Sequence, residues 1–173
     1  EIRHYRYASM LKHLNPKKFK SQAEAFLDSS AEEREFGWLL VGRYYEGPDT
    51  LTTRELRAVA RQILALSSSP NPSFDYKMAF NEFVGFLELT DLDSLKALVI
   101  DKNKDFDLRD WALRQIAHLD AREHKDVLLQ LLENNDSKDL LREMVAPKTV
   151  SLAASDSAYL SRVETTLTQI APG

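Results

Sequence analysis

The chain has 173 residues and a mass of 19.8 kDa, with 43% hydrophobic and 29% charged residues, a formal net charge of -4 and a pI of about 5.6. This composition excludes global disorder, because a disordered chain lacks the apolar residues needed for a core. The absence of cysteine excludes disulfides, thiolate-bound zinc and thiol nucleophiles, and the negative net charge makes nucleic acid an unfavourable partner.

The chain begins with a basic stretch. Residues 1–20 contain six cations and one anion, a net charge of +5, so that residues 21–173 carry -9. Solvated helix faces commonly show such an imbalance, and we interpret this stretch as surface. The longest apolar run, residues 38–41, is far shorter than the ~20 residues that a membrane span needs.

Helical spacing of apolar residues dominates the chain, and no segment alternates as a strand would. Prolines at positions 16, 48, 70 and 72 interrupt helices. Helix starts are marked by a hydroxyl residue followed three positions later by a carboxylate: Ser30 with Glu33, Thr52 with Glu55, and Thr90 with Asp93. The pattern predicts ten helices, at about residues 3–14, 19–28, 31–46, 52–66, 74–88, 92–100, 107–119, 124–133, 138–152 and 156–170.

An internal period of 33 residues aligns apolar positions over three copies. A fourth copy fits after a shift of 42 residues, which places Gly37 in register with Ala112. Small residues at that position predict a close approach of two helices, because glycine in mid-helix otherwise costs ~1 kcal/mol. The aligned sets are Met78, Trp111 and Met144; Ala79, Ala112 and Val145; Phe80, Leu113 and Ala146; Val84, Ala117 and Val150; and Phe86, Leu119 and Leu152.

Residues 105–112 resemble the turn and second-helix start of HEAT repeats. The family pattern is Asp-Pro-x-Val-Arg-x-x-Ala. Asp105, Arg109 and Ala112 match it, whereas Phe106 replaces the proline and Leu108 replaces the valine. The nearest family is therefore that of the HEAT-like, or armadillo-type, helical repeats.

The neighbouring copies are more degenerate. The next one keeps Leu141 and Arg142, and the copy at Tyr76 lacks the arginine. The resemblance implies an all-α fold, an α-solenoid of about five stacked antiparallel helical hairpins. We expect residues 1–173 to form a single α-helical repeat domain, and we interpret the chain as a fragment of a longer protein because it begins at Glu1 without a signal-peptide pattern.

The turn at residues 101–107 carries acceptor side chains at alternate positions, as calcium loops do. An EF-hand needs glycine at its sixth position and glutamate at its twelfth, where this chain has Phe106 and Ala112. We therefore interpret the segment as a polar turn in which Asp107 caps the next helix. A second cluster lacks the spacing of zinc motifs, and we expect its members on the surface: His118, Asp120, Glu123 and His124.

No catalytic motif is present in the sequence. The glycines at positions 37, 42, 47, 85 and 173 are scattered, which excludes a phosphate-binding glycine loop and a nucleophile elbow. The aromatic residues Phe80, Phe83 and Phe86 have the spacing of a helix core rather than of a cofactor pocket. We predict no catalytic residue, no metal ligand and no cofactor.

Polar positions on the predicted second helices are the candidate partner-binding residues, because these helices line the concave face of HEAT-like solenoids. On the helix at 107–119 they recur at i, i+4 and i+8, opposite the apolar stripe. Shifts of 33 and 42 residues add the remaining positions. The full set is Glu35, Arg43, Lys77, Asn81, Asp110, Arg114, His118 and Glu143.

These candidates carry both signs of charge, which favours a protein or peptide partner over a phosphate backbone. We therefore predict a non-catalytic interaction or scaffold domain. One alternative is a HEAT-like enzyme of the alkylpurine DNA glycosylase or bilin lyase type, and another is an inhibitor or immunity-type protein. A glycosylase needs a basic groove, whereas residues 21–173 are net acidic. The sequence fixes neither oligomeric state nor compartment, although we favour the cytoplasm for a soluble domain.

Overall fold

The structure is a computed structural model that describes residues 10–11, 13–27, 33–34, 37–38, 53–67, 72–133 and 139–170. All regular secondary structure within these ranges is helical, which confirms the all-α prediction. The chain forms two compact units, Glu1–Leu66 with Pro72–Leu87, and Ser67–Asn71 with Glu88–Gly173. Organisation as one repeat domain stays a prediction.

The first unit contains three helices whose bounds are described. They are α1 (Pro16–Leu27), α2 (Thr53–Ala65) and α3 (Phe74–Phe83), and a 3₁₀ turn at Val84–Phe86 follows α3. The helix predicted at 74–88 is therefore shorter, because its last turn tightens into the 3₁₀ form. Residues 10–11, 13–14, 33–34 and 37–38 are also helical, but the bounds of the helices predicted at 3–14 and 31–46 lie outside the described residues.

The core of the first unit forms where α2 packs against α3. Tyr76 is buried, its hydroxyl donates a hydrogen bond to the carbonyl of Ile63, and its ring meets the edge of Trp38 at a centroid distance of 6.3 Å. Ala79 is fully buried one turn further along α3. Gly37 is also buried within a helical stretch, in agreement with a small residue at a tightly packed position.

In the described part of the second unit, five helices follow a 3₁₀ turn at Leu89–Asp91. These are α4 (Leu92–Ile100), α5 (Phe106–Leu119), α6 (Ala121–Glu133), α7 (Leu140–Ala153) and α8 (Ser157–Ile170). Each helix packs against the one that follows it and against the next but one, so that α4 meets α6, α5 meets α7 and α6 meets α8. Alternate helices of this unit therefore lie side by side.

Side-chain caps fix the helix starts in both units. Ser73, Asp105, Asp120, Asp139 and Asp156 each accept a hydrogen bond from a backbone amide in the first turn of the next helix. A serine or aspartate immediately before an apolar-periodic run is thus the signal that best locates these helices.

Two predicted caps were wrong. The cap of α5 is Asp105, not Asp107, because Asp105 has extended backbone geometry while Asp107 already lies in the first turn. The box predicted for Thr90 and Asp93 is formed instead by Glu88 and Asp91 around the 3₁₀ turn, where the Glu88 amide donates to Asp91 at 3.0 Å. A tight turn before the helix moved the capping residues upstream.

A buried ion pair joins three helices of the second unit. Arg109 on α5 donates through Nε to the carbonyl of Val99 near the end of α4, at 2.8 Å, and through its terminal nitrogens to both oxygens of Asp139, at 2.8 and 2.7 Å. The two side chains are only 4% and 0% exposed. Because Asp139 also caps α7, one guanidinium fixes α4, α5 and α7 relative to one another.

Residues aligned by the 33-residue period are buried in every copy for only some of the aligned sets. The set of Ala79, Ala112 and Val145 is buried in all three copies, as is the set of Phe83, Ile116 and Thr149, which the sequence comparison did not include. The others differ from copy to copy. Met144 and Val150, which were aligned with core positions, are 45% and 51% exposed.

Candidate functional site

The eight predicted partner-binding residues fall into three groups. Glu35 and Arg43 lie outside the described residues, so their placement stays a prediction. Lys77 and Asn81 lie on α3 of the first unit, where Lys77 is half-buried and Asn81 is exposed. The other four, Asp110, Arg114, His118 and Glu143, lie on α5 and α7 of the second unit.

The four residues of the second unit are not equivalent. Asp110 is buried, at 8% exposure, and forms an ion pair of 2.6 Å with Arg114 one turn later. Asp110 therefore neutralises Arg114 within α5 and offers little surface of its own. The side chains of Arg114 and Glu143 are 70% and 60% exposed, and His118 is also exposed.

Helices α5 and α7 turn matching faces in the same direction. Two pairs of positions 33 residues apart have the same burial: Leu108 and Leu141 are both 0% exposed, as are Ile116 and Thr149. Because both helices have the same angular period, these shared buried positions set a common register for their exposed sides. The exposed Arg114 of α5 accordingly has the register of Pro147 on α7.

The exposed side of α7 is apolar. Leu140, Met144 and Pro147 recur at i, i+4 and i+7, and Leu140 and Met144 are 69% and 45% exposed. The sequence interpretation missed this feature because it assigned Met144 to a core set. The signal that could have found it is a proline in mid-helix, which is tolerated mainly where one face of the helix is free of packing. We call Arg114, His118, Leu140, Met144 and Pro147 the α5–α7 face.

A pocket of about 410 Å³ lies between the amino-terminal turns of α6 and α8. Lys125 forms an ion pair of 2.6 Å with Asp156, and its ammonium lies 5.3 Å from the ring centroid of Tyr159. The Tyr159 hydroxyl donates to the Lys125 carbonyl at 3.1 Å. Arg122 and Arg162 complete the charged lining, and Arg162 is paired with Asp126, outside the lining, at 2.7 Å.

The pocket residues are poor candidates for acid–base chemistry. Burial raises the pKa of Tyr159 to about 12, with a nearby Arg162 acting against the rise and Asp126 adding to it. The phenol therefore stays protonated at neutral pH. Hydrogen bonds from Lys125 and from the Tyr159 amide lower the pKa of Asp156, which therefore remains ionised. The arrangement can bind a charged group, but it offers no proton at neutral pH.

The histidine cluster does not converge, and the expected surface placement of His124 was wrong. His124 is buried, at 6% exposure, whereas His118 is exposed. Asp120 accepts the Arg122 and Glu123 amides, and the Glu123 carboxylate binds Lys96 at 3.1 Å. His124 points inward because it occupies a core position of α6, a placement that the charged neighbours in sequence obscured.

The calcium-like turn uses its carboxylates for local hydrogen bonds. Asp101 accepts from the backbone and side-chain amides of Asn103 at 3.0 and 3.1 Å, and Asp105 caps α5. Among the residues that the structure describes, no three histidine, aspartate or glutamate side chains are grouped as a set that could hold a metal ion. The polar-turn interpretation accounts for these contacts.

Comparison of the chain with models of protein families, with curated proteins and with solved structures found no match. Within the described ranges, no helix is both long and apolar enough to cross a lipid bilayer.

Proposed function

We propose that this chain is a non-catalytic protein-interaction domain of the α-solenoid type, which holds a partner through the α5–α7 face. One observation carries the proposal: Leu140, Met144 and Pro147 form an exposed apolar row on a helix whose opposite side is fully buried. Apolar rows of this kind, flanked by charge, are typical of protein-binding surfaces.

The solenoid part of the proposal is supported by the packing of the second unit. Helices that meet their neighbour and their next-but-one neighbour are what a stack of hairpins produces. The buried position shared by Ala112 and Val145, together with the resemblance of residues 105–112 to HEAT repeats, supports the same arrangement. In such a stack, α5 and α7 are second helices and line the concave side.

The surface chemistry favours a protein or peptide over a nucleic acid. The charge of Arg114 is already balanced by Asp110 at 2.6 Å, and on α7 Arg142 is paired with Glu143 at 3.3 Å. A phosphate backbone would need several unpaired cations along one line. A partner with an apolar anchor and a few polar groups fits the row on α7 better.

The experiment is affinity capture from the native source with quantitative mass spectrometry, using the wild-type chain and surface variants. Leu140→Ser and Met144→Ser remove exposed apolar groups without opening the core. Leu167→Ser is the matched control, because Leu167 on α8 is exposed to a similar extent, 44%. We expect the first two variants to bind one specific partner at least tenfold more weakly, which corresponds to about 1.4 kcal/mol. The control should keep its affinity for that partner. A partner that survives both α7 substitutions would show that this face is not the binding surface.

The enzymatic and inhibitor alternatives stay hypotheses, and no observation in the described residues favours them. Binding to duplex DNA at low ionic strength distinguishes the glycosylase alternative, since its affinity would fall steeply with added salt. Recovery of a single stoichiometric partner would instead favour the inhibitor type.

A further inference from the structure

The pocket between α6 and α8 differs from the rest of the chain in its charge. Its lining contains three cations, Arg122, Lys125 and Arg162, and one anion, Asp156. Lys125 and Arg162 have carboxylate partners in Asp156 and Asp126, whereas Arg122 adds a further positive charge. Residues 21–173 carry a net charge of -9, so a lining with more cations than anions differs in sign from this part of the chain as a whole. A pocket of opposite sign to its surroundings selects ligands by charge.

The acceptors in the pocket are already occupied. Asp156 accepts from the Lys125 ammonium at 2.6 Å and from the Tyr159 amide at 3.1 Å. The Tyr159 hydroxyl is itself used as a donor, to the Lys125 carbonyl. A ligand that brought further N–H or O–H groups would find few acceptors here.

The donors, in contrast, are largely unused. Arg122 is exposed and has no ion pair with another described residue, so its guanidinium donors are free to bind a ligand. Arg162 is 55% exposed and pairs only with Asp126, which leaves other donors of its fork available. Water can hydrate these exposed donors, but their surplus over free acceptors favours an acceptor-rich anion as the ligand.

The shape and floor of the pocket restrict the anion further. The ring of Tyr159 and the methyl groups of Ala121 and Ala158 supply the apolar part of the lining, which we call the apolar floor. The volume of about 410 Å³ suits a side chain or a small organic group rather than a bare ion. The Tyr159 amide in the first turn of α8 is already bonded to Asp156.

We propose that this pocket binds carboxylate side chains of an acidic peptide segment. Arg122 and Arg162 hold one carboxylate between them, and the aliphatic part of the glutamate or aspartate side chain lies on the apolar floor. The proposal is independent of the α5–α7 face, because the pocket residues lie on α6 and α8.

The test measures the binding of a fluorescently labelled hexaglutamate peptide to the full chain by anisotropy at low ionic strength. Arg122→Gln and Arg162→Gln should each weaken binding at least tenfold, because each removes a charge-assisted contact. Arg54→Gln is the matched control, since Arg54 is exposed on α2 and lies outside both the pocket and the α5–α7 face. Circular dichroism of each variant verifies that the fold is kept.

A second variant is expected to strengthen the binding of hexaglutamate rather than weaken it. Asp156→Asn keeps the cap of α8, because asparagine caps as well as aspartate, but it releases Lys125 and removes the only anion of the lining. Binding of hexaglutamate should then become several-fold tighter. A loss of binding in a correctly folded Asp156→Asn protein would contradict the proposal.

The remaining outcomes also decide the question. Residues 1–20 are basic and could attract the same peptide, but Arg122→Gln leaves their charge unchanged, so an affinity that does not respond to this variant overturns the proposal. If inorganic phosphate binds with the same variant dependence and hexaglutamate does not bind, the pocket is a site for small phosphates and the peptide assignment is wrong. If neither inorganic phosphate nor hexaglutamate binds, the proposal is wrong.

Discussion

His124 shows how burial changes the chemistry of a single residue. Its Nε2 atom is buried and has no hydrogen-bond partner among the described residues. Burial first, and the charge of Lys148 second, lower its pKa from 6.5 to about 4. The imidazole is therefore neutral in the folded protein at pH values where an unfolded chain would already bind a proton.

This shift predicts a loss of stability in mild acid. The unfolded state takes up a proton below about pH 6.5, but the folded state resists it until about pH 4, so the free energy of unfolding falls as the pH drops through this window. The loss from this residue is up to about 3 kcal/mol. Urea unfolding at several pH values should show a shallower pH dependence for His124→Gln than for the wild type.

His118→Gln is the control for this measurement, because His118 is exposed. It should lose stability in acid as the wild type does. Equal pH dependence of the His124→Gln and wild-type proteins would show that His124 is not the group responsible.

For single residues, the sequence predicted burial or exposure from size and polarity, but it could not show which neighbouring helices cover a residue. Ala112 and Val145 were expected at a tightly packed position and are buried. Met144 was aligned with core residues yet is exposed, and Asp110 was expected on the surface yet is buried beside Arg114. Such differences depend on which helices cover a position, and a helical period cannot supply that information.

At the scale of elements, the ion pair of Arg109 and Asp139 holds α5 and α7 together. Although burial of the Asp139 carboxylate opposes ionisation, hydrogen bonds and charge from Arg109 outweigh it and lower the pKa of Asp139 below its ordinary value. The contribution of this carboxylate to stability is therefore present above the unfolded pKa of 3.8 and is lost as the pH falls through the lower folded value.

Asp139→Asn tests the ion pair without removing the cap of α7. Since asparagine can still accept from the Leu141 amide, the substitution mainly leaves the Arg109 charge buried and unpaired. We expect the free energy of unfolding to fall by about 3 kcal/mol or more. Asp156→Asn is the matched control, because it also replaces a capping aspartate in an ion pair, but that pair is 30% and 38% exposed.

Chemical denaturation of both variants provides the comparison. The control should lose much less stability than Asp139→Asn, because water screens the exposed pair. Similar losses in the two proteins would mean that the buried pair contributes no more to stability than the exposed one.

Helix boundaries were predicted well where a cap immediately precedes an apolar run. The helix predicted at 92–100 agrees with α4, and that at 156–170 agrees closely with α8. The copy at Tyr76 was read as degenerate because it lacks arginine. However, the Tyr76 hydroxyl donates to the carbonyl of Ile63 in α2, much as Arg109 donates to Val99 in α4. Because the HEAT-like motif is defined by residue type, it does not show that Tyr76 and Arg109 make the same kind of contact.

At the scale of the molecule, the second unit is built from local contacts. Helices that pack on the neighbouring helix and on the next but one make a nearly linear chain of interactions, so damage at one helix should extend over two helices at most. Val163→Ala removes buried methyl groups of α8 beside Tyr159 and Ala153, which costs about 1 to 3 kcal/mol locally.

Hydrogen exchange measured by mass spectrometry shows how far this destabilisation extends along the second unit. We expect faster exchange in α6, α7 and α8 of Val163→Ala, because the buried cluster around Val163 includes Leu129 of α6, and nearly unchanged exchange in α4 and α5. An equal loss of protection across all five helices would instead indicate a single cooperative core and would argue against a stack of hairpins.

The contacts of Arg109 also limit how the second unit can be divided in the laboratory. Its two partner residues are Val99 and Asp139, so a recombinant fragment that stops after α6 would keep the arginine and lose its carboxylate. Shortened versions made for crystallisation or binding studies should therefore retain both partners, and α4 to α7 is the smallest piece that does so without dividing a hairpin.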